Sequence, residues 1–479
     1  MTSIQKPLKS VLIITSASAI SQAILFLISP FITRLYTPGD LGIYTMYTSL
    51  VGFLSMVSAL HLELAIPLPE SRDEACLVSL IAYLVVCMIV LFMSGLTWAH
   101  FSVSLYKAKS DIVSFLRIFM PLGILIAGFT IISSTIHIRN QNFTLLSQAR
   151  LVYAFSFAPL QLILGFLHCG AIGLIISSLI ARCLELGSLW RKQFFHFIYP
   201  AFNMLGKHNI FLVLSKYRNF PLATVPASLA NSAASYLPPV ILGYLHGTSI
   251  AGYYGLAFRV LQLPFSLLGS SLSKVFFAHA SEAHRKGRLD QITVSFLRAN
   301  FTFSIYTFPF LAIVCPDLFD IVFGQKWRMA GIYAQYLMPL LCLTFLNTTF
   351  SMLVSILGLQ KKELIFNLFF ALSVIIPLIT TFSFAIQIKL LLASIAGSLV
   401  LLAKLVWLIV CACVRKEYIL PWMFYDIVIS VTISILFYCL SSLMKNTLFI
   451  LLLFCFTLLS LHCYIFFCTS AYSLETSEN

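Results

Sequence analysis

ACLVSLIAYLVVCMIVLFMSGLTWA, residues 75–99, runs for 25 positions without an acidic or basic side chain. A helix crosses the hydrocarbon core of a bilayer in roughly 20 apolar residues. No water is present there to satisfy a free N–H or C=O, so a single apolar segment crosses as a helix. The stretch therefore reads as a transmembrane helix, and the chain repeats it. Apolar segments of the same kind lie at about 10–33, 41–66, 113–135, 145–167, 170–190, 220–243, 249–275, 293–315, 331–357, 364–385, 388–412, 424–444 and 447–469, which makes 14 in all. Only Gln387 and Lys389 divide the eleventh from the twelfth.

Bulk composition agrees. Of 479 residues, 60% are hydrophobic and 10% charged, against about 25% charged in soluble domains. The net charge of +14 comes from 30 Lys and Arg against 16 Asp and Glu, and most of the basic residues fall in short loops. With the N-terminus inside, 18 basic residues lie on the inner side and 7, among them Lys389, on the outer side. The inner excess places both termini in the cytoplasm. MTSIQKPLK at the start is short and basic, and the apolar run after it is too long for a cleavable signal. The 12 cysteines sit mostly in apolar segments, with no CxxC pair. They read as reduced, small hydrophobic residues.

The basic segment 191–218 follows the sixth span and reads as a cytoplasmic linker. It separates a first lobe, 1–190, from a second, 219–412, with two further helices and a tail at 413–479. The halves share a short match. Gly42 and Tyr44 recur as Gly252 and Tyr254 at an offset of 210, each at the start of its half's second span. Gly331-Ile-Tyr333 repeats the pattern at the tenth span. Repeated halves are a common build of secondary transporters.

A helix lining a wet cavity carries one polar stripe at helical spacing. Four spans do so. The first has Thr15, Ser18, Gln22, Ser29 and Thr33. The second has Thr45, Thr48, Gly52, Ser55, Ala59 and Glu63. The seventh has Thr224, Ser228, Asn231 and Ser235. The eighth has Gly252, Gly255, Arg259, Gln262, Ser266, Ser270 and Ser273. Small residues in such stripes serve equally to let helices approach closely. That reading suits Gln22, Glu63, Arg259 and Gln262 less well. A mid-membrane charge costs about 2.5–3.5 kcal/mol on insertion scales, so Arg259 requires a partner or water. As a cavity cation it matches a phosphate, because its planar fork makes two parallel hydrogen bonds.

Lys404 is the second candidate cavity cation. Arg117 and Arg298 lie near span ends, where they can also snorkel. Arg182 and Glu185 are three apart on one helix, the spacing of a local ion pair. Glu63, towards the cytoplasmic end of the second span, is the candidate for coupling to an H+ or Na+ gradient. Pro221, Pro239 and Pro264 interrupt the seventh and eighth spans and are hinge candidates. The sequence has no GxxxxGK[ST], no HExxH and no metal-spaced His cluster, so neither cofactor, metal nor ATPase chemistry is expected.

Several stretches resemble bacterial Wzx-type O-antigen and polysaccharide flippases of the multidrug/oligosaccharidyl-lipid/polysaccharide exporter superfamily. They are AGYYGLAFRVLQLP (251–264), TRLYTPGDLGIY (33–44), ELAIP (63–67), Phe220-Pro221 with Leu237-Pro238, and FGQKW (323–327) followed by AGIY (330–333). The resemblance runs from about residue 10 to 365. It implies an all-α membrane protein with two six-helix lobes around a central V-shaped cavity. It also implies alternating access in a bacterial inner membrane and undecaprenyl-diphosphate-linked oligosaccharide as cargo, moved from cytoplasm to periplasm. Membrane lipids and other polysaccharide-assembly membrane proteins are the implied partners; nucleic acid is not. Relatives that flip the peptidoglycan precursor carry cavity cations on their first spans, whereas the first span here offers Gln22. Two other readings stay open. A drug/cation antiporter on the same scaffold would favour cavity carboxylates, and a membrane polysaccharide polymerase or ligase would favour a large outside loop.

Overall fold

The structure, a computed structural model, describes residues 2–104, 110–193, 215–218, 220–380, 384–414 and 420–443. Thirteen α-helices cover nearly all of them, and no strand occurs among the described residues. They are α1 (Thr2–Leu35), α2 (Pro38–Ser58), α3 (Arg72–Ser104), α4 (Ser110–Arg139), α5 (Phe143–Phe166), α6 (Gly170–Gln193), α7 (Val225–His246), α8 (Thr248–Arg285), α9 (Leu289–Phe323), α10 (Arg328–Ile356), α11 (Gln360–Thr380), α12 (Ile386–Cys411) and α13 (Leu420–Leu443). Each coincides with one of the first thirteen predicted spans. The fourteenth, at 447–469, lies outside the described residues, as does most of the predicted linker. Among the described residues, eleven helices are long and apolar enough to cross a bilayer by length and composition.

Three boundaries differ from the sequence reading. The second span was expected to reach residue 66, but α2 stops at Ser58. Leu60 and His61 turn left-handed, with φ of 50° and 55°, and a 3-10 turn, Leu62–Ala65, follows. Glu63 therefore leaves the α2 stripe. Lys389, counted with the outer loops, is fully buried inside the first turn of α12. The eighth span runs ten residues further than expected, to Arg285. Pro239 and Pro264 sit inside continuous helices, while Pro221 lies in a π-type turn, Phe220–Thr224, that leads into α7.

The chain divides into two compact units, Met1–Gly255 and Leu256–Asn479. In the first, α5 packs on α1 and α6, and α2 packs on α4, α6 and α7. Thus α7, expected to open the second lobe, shares a unit with α2. Glycines make this packing close. A Cβ on Gly52 would lie 2.5 Å from the Tyr236 ring, and one on Gly243 would lie 2.2 Å from Met46 Sδ. The repeat-matched glycines meet directly. A Cβ on Gly42 would fall 1.7 Å from the Thr248 carbonyl oxygen, and one on Gly252 2.0 Å from that of Pro38.

In the second unit α10 packs on α9 and α12, α11 on α12, and α13 on α9. Its core is built on Phe276, Leu297, Phe350, Leu353, Leu405 and Leu408, and Phe265 stacks on Phe308 at 4.3 Å between ring centres. In the same unit, the third copy of the pattern places Gly331 against the backbone of Cys315 and Pro316.

Local signals fix how α2 and α6 begin. Thr37 and Asp40 form a reciprocal capping box around Pro38, the residue type suited to a first helical position. The other Asp40 oxygen, Oδ1, accepts the Ala171 N–H at 3.0 Å. One carboxylate thus caps two helices, beside Gly170, whose φ is +55°. Each cap is worth about 1 kcal/mol. Asp40→Ala removes the carboxylate half of the α2 box and the whole bond to α6, while Thr37 Oγ1 still accepts the N–H of residue 40. It is expected to lower the melting temperature in detergent further than Thr37→Ala, which leaves the α6 bond intact. Equal shifts would show that the bond to Ala171 contributes nothing.

Candidate functional site

The first unit encloses a chamber of about 370 Å³. Its wall comes from α2 (Tyr44, Tyr47, Thr48, Gly52, Ser55), α4 (Gly123, Thr130), α5 (Tyr153), α6 (Ser178, Arg182) and α7 (Tyr236). The α2 contribution is the polar stripe seen in the sequence, shifted by its neighbours: Thr48, Gly52 and Ser55 line the chamber. Thr45 instead packs where a Cβ on Gly255 would lie 2.5 Å away. Gly123 has its own reason to be glycine, since a Cβ there would come within 2.3 Å of the Tyr47 hydroxyl.

Arg182 is the charged residue of the chamber wall. It is the thirteenth residue of the 24-residue α6, so it lies at mid-span. Its guanidinium stands 5.3 Å from the centre of the Tyr153 ring, a cation–π distance. The ion pair with Glu185 expected from spacing is not formed: among the described residues no carboxylate comes within 4 Å of this guanidinium, and no hydrogen bond reaches it. Glu185 instead lies in the combined field of Arg182 and of Arg150 on α5. The Arg150 guanidinium in turn donates to Ser18 Oγ on α1.

The hydroxyls of the wall are already oriented. Thr48 Oγ1 donates to Tyr44 O at 3.0 Å, Ser55 Oγ to Gly52 O at 2.9 Å, Thr130 Oγ1 to Ile126 O at 2.7 Å and Ser178 Oγ to Ile175 O at 2.8 Å. Such back-bonding to the preceding turn uses each hydroxyl proton, leaving the oxygens as acceptors. Tyr47 spends its proton on Phe119 O at 3.3 Å. The chamber therefore combines a row of acceptors with one strong multiple donor.

The wall is braced from behind. Ser133 on α4 binds both Tyr83 of α3 (2.7 Å) and Trp190 of α6 (3.0 Å). Below it, Arg139 donates to Ile66 O at 2.9 Å. Glu74 of α3 accepts from Lys216 Nζ at 2.5 Å and from Tyr217 at 2.9 Å, and this hydrogen bond raises the Lys216 ammonium above the ordinary lysine range.

The other residues singled out from sequence do not line this chamber. Gln22 on α1 is partly buried, with its Oε1 enclosed and unbonded. Asn231 and Ser235 are exposed on α7; the next positions along, Ser232 and Tyr236, turn inward, against Met56 Sδ and into the chamber. In the second unit Arg259 is partly exposed, and Gln262 and Arg298 are exposed. Arg259 makes no ion pair or hydrogen bond among the described residues. The side chain of Arg117 lies outside the described residues. Lys404 is not a free cavity cation. Its Nζ donates to Glu363 Oε1 at 2.7 Å and to Asn367 Oδ1 at 3.3 Å across the α11–α12 contact, and it is buried. Glu63 is 6% exposed and bound to His61 Nδ1 at 2.9 Å, with its other oxygen buried and unbonded.

Sequence reasoning missed Arg182, Tyr153 and Tyr236. Arg182 is visible in the sequence as an intramembrane charge, but the carboxylate three residues on, Glu185, accounts for it there as an ion pair.

The family described as polysaccharide biosynthesis protein matches residues 31–331. No curated protein sequence matches the chain. Among solved structures, the fold is similar to that of the lipid II flippase MurJ in an inward closed conformation, at 14% identity and a TM-score of 0.71 over 98% of this chain and 100% of that one. It is also similar to an inward-facing multidrug-resistance MATE family transporter of the MOP superfamily (14% identity, TM-score 0.57, 83% and 94%). A further likeness is to a MOP superfamily transporter from Pyrococcus furiosus (13%, TM-score 0.55, 85% and 97%). At these identities the likeness is one of fold, an all-α architecture, and the eleven apolar helices among the described residues make the chain a multi-pass membrane protein.

Proposed function

The chain belongs to the polysaccharide biosynthesis protein family, and from that premise we propose that it is a flippase for a lipid-linked oligosaccharide. In this reading it moves an undecaprenyl-diphosphate-linked repeat unit of a surface polysaccharide from the cytoplasmic to the periplasmic leaflet of a bacterial inner membrane, by alternating access, with both termini cytoplasmic. The observation that carries the reading is the chamber of the first unit. A hydroxyl-rich pocket at bilayer depth holds a guanidinium without a carboxylate partner, and a cation in that setting is matched by an anionic guest. A cation antiporter would place a carboxylate in the same wall, and none of the lining residues is one.

An H+ or Na+ gradient drives the cycle in this proposal, with Glu63 as the coupling candidate, and Arg259 supplies a second cation for the diphosphate. Pro221, Pro239 and Pro264 remain the proposed hinge positions.

Complementation tests the proposal. Expressed in a flippase-deleted strain, the chain is expected to restore surface polysaccharide. Arg259→Ala is expected to abolish that restoration while the protein still reaches the membrane, with Arg259→Lys retaining part. Failure of the wild-type chain with several repeat-unit chemistries would remove the flippase reading. Full restoration by Arg259→Ala would remove only Arg259.

A further inference from the structure

We infer that the chamber of the first unit is a glycosyl subsite for an acidic sugar, with Arg182 holding the sugar's own oxyanion. The inference rests on the flippase reading and names the chemistry of the guest at one place in it. Three features of the wall converge. The four back-bonded hydroxyls present lone pairs, and such acceptors are satisfied by a guest that donates many O–H groups. Tyr44, Tyr47, Tyr153 and Tyr236 add aromatic side chains to the lining, the residue type that suits the apolar faces of a pyranose. Arg182 adds a fork of N–H donors that matches a planar carboxylate or a phosphoryl group.

A bare diphosphate meets only the third feature. It carries no donors for the threonines and serines and no apolar face for the tyrosines. A neutral sugar meets the first two and leaves the guanidinium offset only by the Tyr153 ring and by the Glu185 carboxylate beyond salt-bridge distance, an unfavourable arrangement at bilayer depth. A sugar bearing a carboxylate or a phosphate meets all three. The volume, about 370 Å³, is at the small end of ligand pockets, so it fits a short glycosyl segment rather than a whole lipid-linked chain.

The test is binding of soluble probes to the full-length protein in detergent, read by tyrosine fluorescence and by melting temperature. D-glucuronate is expected to bind at least tenfold more tightly than D-glucose, the magnitude of one charge-assisted interaction. Arg182→Gln is expected to reduce that ratio to about one, and Arg182→Lys to leave an intermediate ratio, because charge persists without the fork. Glucose binding as tight as glucuronate in the wild-type protein overturns the inference, and so does an unchanged ratio in Arg182→Gln. The comparison of probes on the wild-type chain holds even if Arg182→Gln fails to fold. Pyrophosphate competing as well as glucuronate would assign the guanidinium to the carrier's diphosphate and equally overturn the acidic-sugar assignment. Complementation by a chain that binds neither probe would refute this inference and leave the flippase reading standing. Probe binding without complementation would do the reverse.

Discussion

Gly42→Ala lowers the melting temperature of the detergent-solubilised protein by roughly 5–10 °C, while Gly243→Ala shifts it by no more than about 2 °C. Both glycines face an approach too close for a Cβ, yet the obstacles differ in kind. At Gly42 the new methyl would sit 1.7 Å from the Thr248 carbonyl oxygen and 3.0 Å from the Gly252 nitrogen, both backbone atoms at the start of another helix. Nothing there yields by turning a side chain, so α2 must separate from the first turn of α8. At Gly243 the obstacle is the end of the Met46 side chain, and methionine has three rotatable bonds with which to move aside. Overpacking typically costs about 1–3 kcal/mol and occasionally more, and each kcal/mol is worth roughly 2–4 °C in a unit of this size. The double change Gly42→Ala with Gly252→Ala is expected to fall short of the sum, because the first methyl already opens the gap the second would fill. Equal shifts for Gly42 and Gly243 would mean that the crossing of α2 and α8 is not a fixed contact.

That crossing also shows how far the sequence could be read. The repeat Gly42/Tyr44 and Gly252/Tyr254 was legible as a match at constant offset. Contact between the two glycines was not, because a match between halves says nothing about distance. Helix number and order were legible because hydrocarbon imposes a long apolar run on each crossing. The end of α2 was hidden, since its left-handed residues are Leu60 and His61, neither of them the glycine that commonly marks such a break. Charges were the hardest to place. Arg182 and Glu185 have the right spacing for an ion pair, but the direction of the guanidinium is set by Tyr153 on α5, and such a neighbour is a tertiary fact. On α7, Tyr236 reaches the chamber where Gly52 of α2 leaves room for its ring, while Asn231 and Ser235 are exposed; that division of the helix faces is likewise a tertiary fact.

Lys404 gives the other large effect. Lys404→Met is expected to destabilise the second unit by about 3 kcal/mol, and the double variant Lys404→Met with Glu363→Leu to recover most of the loss. The lysine side chain is 9% exposed and that of its partner Glu363 26%, with 2.7 Å between Nζ and Oε1. Removing one member of a buried pair strands the other and costs about 3–5 kcal/mol; the partial exposure of Glu363 places this case at the lower end. Replacing both by apolar side chains removes two desolvation penalties together with the attraction, and such exchanges are often neutral or better. Asn367, which also accepts from Lys404 at 3.3 Å, is left facing the new methionine and keeps the recovery incomplete. Thermal melts of the three proteins measure this directly. Complementation by the double variant separates two roles for the same lysine. An ammonium engaged by Glu363 serves to join α11 to α12, so under the proposed flippase function the double variant is expected to complement once its stability is restored. A double variant that melts like the wild type yet exports nothing would return Lys404 to the set of cations that handle the substrate.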